Sequence, residues 1–147
     1  MQIILGWVFI IFPGILFLGQ LISSINFSFA QKLGFQEDPE ASDPLLHRVE
    51  RYTAYWDLVS IVWLPVAGIL MVLNISFWPL ICFFAGAVYL DSAGREAAKN
   101  LGLRHEGIRM GTNRQQNFFF ATYVIMAVFG LIAVIYPLGQ LNITPHV

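Results

Sequence analysis

Polar side chains at helical spacing are the clearest chemical signal in this chain. Gln20, Ser24 and Ser28 recur every four residues, and Thr53, Asp57 and Ser60 follow at intervals of four and three, so each set shares one helix face. Asp91 closes a third apolar stretch and Asn117 opens a fourth. Brought to one level, Gln20, Ser24, Asp57, Ser60, Asp91 and Asn117 would line a polar vestibule that admits water and a solute. A carboxylate within a membrane is costly unless paired or hydrated, which makes Asp57 a functional candidate. A plainer reading stands beside it. Asp57 lies about one turn inside its apolar stretch, where headgroup water reaches, and Arg48, Arg51 or Arg95 would neutralise either aspartate as an interfacial pair.

Other chemistries find less support. Asp57 and Asp91 as an acid/base pair, or as metal ligands with His47 or His105, would need convergent geometry. The chain has no HxxxH or HExxH spacing and no tight carboxylate cluster, so no catalytic residue and no metal ligand is assigned. Cys82 is the single cysteine and lies in the apolar run PLICFF, where a buried, inert thiol is expected. No motif implies a cofactor. The 13 phenylalanines, Phe118 to Phe120 among them, offer flat apolar surface that suits a quinone, a pigment or a lipid tail, and equally suits plain contact with lipid.

The elements that would position these residues are membrane spans. The 147 residues are 57% hydrophobic and only 12% charged, whereas soluble domains carry about twice that share of charge. A net charge of −1 gives no basis for a nucleic-acid partner. Crossing the hydrocarbon core takes about 20 mostly apolar residues. Four segments come near that length: about 3–25 (extendable to Phe29 by composition), 53–73, 77–92 and 117–138. Strict alternation is absent, which disfavours strands. An all-α, integral membrane four-helix bundle in a single domain of 147 residues is therefore expected.

Orientation follows from charge. All eight Lys and Arg residues fall in two loops, Lys32, Arg48 and Arg51 in one and Arg95, Lys99, Arg104, Arg109 and Arg114 in the other. Basic loops stay in the cytoplasm. Loops 26–52 and 93–116 are thus expected inside and both termini outside, in a membrane of the bacterial inner-membrane type. Short amphipathic helices are expected in both loops, one over about Asp43–Glu50 with Asp43 as N-cap and Pro44 at N1, the other over about Ser92–Leu101, stopped by Gly102. Pro13 and Pro65 should kink the first and second spans. The NIS and NIT triplets fit the glycosylation pattern but are too common to weigh.

Small residues form two stripes, Gly86, Ala93 and Ala97 in the third span and its extension and Ala127, Gly130 and Ala133 in the fourth. Such stripes let helices approach closely in lipid, either within the chain or against another one. No internal repeat relates the spans. Two functional classes remain: a small non-enzymatic accessory or structural subunit that packs against other membrane subunits or itself, and a small carrier or channel-like module using the vestibule around Asp57 and Asp91. A membrane enzyme ranks third.

Overall fold

A computed structural model describes residues 1–140; Asn142 of the NIT triplet and His146 lie outside the described residues. Helix α1 spans Gln2–Ile25, α2 Phe27–Lys32, α3 Pro44–Ile61, α4 Trp63–Val72, α5 Trp78–His105 and α6 Asn113–Leu138. Among the described residues the only β feature is an isolated bridge, Ser42 with Met110. Among the described residues three rods are long and apolar enough to cross a membrane: α1, α3 with α4 (Pro44–Val72), and α6. The chain is thus an all-helical protein with the make of a small membrane protein. Its outward faces agree: Val124, Val128, Leu131 and Ile135, at helical spacing on α6, are all exposed, as are Ile4, Trp7, Ile11 and Leu18 on α1. Contiguous apolar surface of that kind suits lipid, not water.

Several expected boundaries move. The surface helix placed at Asp43–Glu50 is the first part of α3. Asp43 caps it, its carboxylate accepting from the Leu45 N–H at 2.8 Å, and Pro44 occupies the first turn, but the helix then runs on to Ile61. The helix placed at Ser92–Leu101 is likewise the second half of α5, which passes Gly102 and ends at His105. An exposed glycine costs a helix about 1 kcal/mol, too little to stop one already propagating over several turns. The first span does not continue to Phe29. Asn26 leaves helical geometry at φ −143°, and its side chain accepts from the Phe29 N–H at 3.0 Å to start α2. Pro13 sits buried inside α1, which runs through it without ending.

Prolines organise the packing in a second way. Pro65 has no N–H to give to Ile61, four residues back, and the helix is interrupted at Val62, between α3 and α4. The freed Ile61 carbonyl accepts instead from the Tyr89 hydroxyl of α5 at 3.1 Å. Pro137 does the same to Ala133, whose carbonyl accepts from the Cys82 thiol at 3.5 Å. Cys82 and Tyr89 are fully buried.

Helix α1 packs on α3 and α4, α4 on α5, and α5 on α6. Two glycine crossings set the closest approaches. A Cβ on Gly68 would lie 2.6 Å from the Gly6 carbonyl oxygen, and one on Gly86 would lie 2.8 Å from the Gly130 carbonyl oxygen and 2.9 Å from the Ala133 carbonyl carbon. The small-residue stripes therefore meet each other within the chain. Ala93 and Ala133 are buried there, and Ala97 and Ala127 are half-buried. The connections on one side also join: the Asp43 N–H donates to the Arg109 carbonyl at 2.8 Å and the Gly111 N–H to the Ala41 carbonyl at 3.1 Å.

Candidate functional site

Between α1, α3, α5 and α6 lies a cavity of about 160 Å³. Its polar wall is acidic. Glu50 and Asp57, two turns apart, share the buried face of α3, and Ser92 and Glu96, one turn apart, share that of α5. Glu37 arrives from the connection after α2. That connection folds inward because its polar groups find partners: Gln36 Nε2 donates to Ser23 Oγ at 3.0 Å, and Gln31 Nε2 donates to the Glu37 carbonyl at 3.0 Å. The Phe35 ring packs on the bare backbone of Gly19, 3.4 Å from where a Cβ would be.

Two bases stand behind four acids. Lys99 Nζ lies 2.8 Å from Glu50 and 2.5 Å from Glu96, and Arg95 lies 3.7 Å from Asp57, an ion pair too long for a hydrogen bond. Burial by itself would lower the Lys99 ammonium, but Glu50 and then Glu96 more than offset it and hold the group charged. The Glu37 carboxyl is raised from its ordinary 4.5 to about 7, first by burial and then by the neighbouring Glu50. Four carboxyl groups thus face two bases, an excess of two acids (four minus two).

Four polar groups on this wall lack a hydrogen-bond partner within the protein: Gln20 Oε1, Glu37 Oε2, Asp57 Oδ1 and Ser92 Oγ, the last three in residues only 5%, 6% and 2% exposed. A buried polar atom left unpaired costs about 1–3 kcal/mol, so groups of this kind take a polar partner, whether water or a solute. The side flanked by α1 and α6 is different. Ile15 and Leu16 of α1 and Phe118, Phe119 and Met126 of α6 make it apolar, with Tyr123 held at its edge by a 2.7 Å hydrogen bond from Asn100.

Of the six residues expected to share a vestibule, the structure brings Gln20 and Asp57 together on this cavity. Ser24 and Ser60 are buried but spend their hydroxyls on their own helices, donating to the Leu21 and Trp56 carbonyls. Asp91 and Asn117 are exposed and lie off the cavity wall. Glu37, Glu50, Glu96 and Lys99 are additions that the sequence reading had assigned to surface loops. A signal for two of them was present: Glu50 continues the Asp57 stripe by seven residues, and Glu96 follows Ser92 by four.

Among the described residues no group of three or more His, Cys, Asp or Glu converges as metal ligands would. No protein-family model, no curated protein and no solved structure matches the chain.

Proposed function

We propose that this chain is a four-span membrane protein whose acidic cavity binds a cationic solute, a carrier-like module and not a structural filler. The spans are α1, α3 with α4, the apolar first half of α5, and α6. Both basic loops face the cytoplasm and both termini face out. The pairing of Ser42 with Met110 supports that arrangement, since it holds the two basic loops against each other at one end. The observation that carries the binding role is the cavity itself, lined by four carboxylates of which Glu37 and Asp57 each keep a buried oxygen without a hydrogen bond. Carboxylates spread around a wall favour a cation with diffuse charge over a small metal ion, which demands several oxygens at close range.

The test is thermal unfolding of the purified protein in lipid nanodiscs, titrated at constant ionic strength with sodium, ammonium and tetramethylammonium chlorides. One of these should raise the melting temperature of the wild type, and Asp57→Asn should fold and lose the response. Equal behaviour of all three salts, unchanged in Asp57→Asn, would instead favour the accessory-subunit role.

A further inference from the structure

The cavity is acidic toward α3 and α5 and apolar where α1 and α6 flank it, and that apolar side is a gap between helices. Helices α1 and α6 meet through Phe9 and Phe12 against Phe129, ring centroids 6.0 Å apart in both pairs. One to two turns further along, the cavity lies between them. The residues flanking it there face the surroundings: Ile15 is 52% exposed and Phe118 60%. A path of apolar side chains therefore leads from the lipid-facing surface, past Leu16, Phe119 and Met126, to the buried carboxylates of Asp57 and Glu96.

We infer that the ligand is a cationic amphiphile, whose charged head is held by Asp57 and Glu96 and whose apolar tail lies in the gap between α1 and α6. The inference rests on the cation-binding role proposed above and adds the ligand's shape and its route of access. Charge complementarity selects the head, because the wall is acidic and Asp57 Oδ1 on it makes only a 3.7 Å ion pair with Arg95 and no hydrogen bond. The tail follows from the lining, since a fully hydrated ion would leave Ile15, Leu16 and Met126 against water.

The experiment compares tetramethylammonium with octyltrimethylammonium by isothermal titration of the protein in nanodiscs, with empty nanodiscs subtracted and octanesulfonate as the anionic control. The octyl chain should tighten binding by about 100-fold or more, because each buried methylene contributes about a fourfold gain. Asp57→Asn should abolish binding of both cations. Thr122→Trp, which fills the gap from α6, should bring the octyl compound down to the affinity of tetramethylammonium, and retained tetramethylammonium binding shows that this variant is folded. Equal, Asp57-dependent affinity for the two cations would overturn the amphiphile inference and leave the cation site standing. Binding of the octyl compound that octanesulfonate matches and Asp57→Asn does not touch would be partitioning into lipid, and would overturn the inference too. If neither cation binds, both the site and its ligand class fall. If Thr122→Trp changes only the size of the assembly, the gap belongs to a helix of a partner and the inference is again overturned.

Discussion

Tyr89 and Cys82, seven residues apart on α5, each donate a hydrogen bond to a carbonyl that a proline has left without its helical donor. The spacing of Pro65 and Pro137 in the sequence announces the two orphan carbonyls, but not the side chains that reach them. Tyr89→Phe should destabilise the protein by about 1 kcal/mol, since Ile61 then keeps a buried, unpaired carbonyl. Pro65→Ala should recover most of that loss in the Tyr89→Phe background, because alanine restores the N–H. Denaturation in mixed micelles around this double-mutant cycle measures the coupling. Glu37 carries a second residue-scale expectation. Its carboxyl titrates near 4.5 in an unfolded chain and near 7 in the folded one, raised by burial and by Glu50, with Glu96 acting the same way and Lys99 opposing. Between those values the native state holds a proton the unfolded chain has released. The contribution is therefore complete below pH 4.5 and is lost as pH rises through 7. The melting temperature should fall over that window, and Glu37→Gln should flatten the fall in a melt series from pH 5 to pH 8.

Helix α5 contains a natural comparison at the scale of the element. Gly86 crosses Gly130 so closely that an added Cβ would strike backbone atoms of α6 at 2.8 Å, whereas Gly94, two turns on, has nothing within 4 Å. Gly86→Ala should cost about 1–3 kcal/mol by overpacking against atoms that cannot move aside. Gly94→Ala should gain about 0.5–1 kcal/mol from helix propensity. Denaturant midpoints of the two variants check the pair, and a cost at Gly94 equal to that at Gly86 would refute the crossing. The same element shows why boundaries were hard to read. Charge returns after Leu90, which marks where the apolar stretch ends but carries no instruction for the helix to end.

At the scale of the whole molecule, the proposed topology makes two demands. In a Cys82→Ser background, Asn74→Cys in the exposed turn between α4 and α5 should react with an impermeant maleimide in intact cells, while Arg104→Cys should react only after permeabilisation. Ser42→Cys with Met110→Cys should form an intramolecular disulfide under mild oxidation. The two positions face each other across an antiparallel bridge, where Cα atoms lie about 4.5–5.5 Å apart, within disulfide reach. Reversed labelling would invert the orientation, and failure of the cross-link would separate the two basic loops.

What the sequence determined by itself were the local sums and local stereochemistry. Hydropathy over some 20 residues marked the helical, membrane-type chain, Asp43 and Pro44 marked the start of α3, and the small residues marked the close α5–α6 crossing. Periodicity also put Asp57 on a polar face. The tertiary structure alone decided which polar faces look at one another. A 3.6-residue period fixes residues relative to their own helix, while the rotation of that helix about its axis is set by contacts such as Gly86 on Gly130. Asp91 and Asn117 were expected at the level of Asp57, yet the packing leaves both exposed. Glu50 and Glu96 read as surface charge until α3 and α5 proved continuous past the expected boundaries, and Glu37 joined them only because Gln36 and Gln31 draw its loop into the protein. Contacts between residues far apart in the chain leave no periodic mark on either partner, so the acidic cavity could be seen only when the helices were packed.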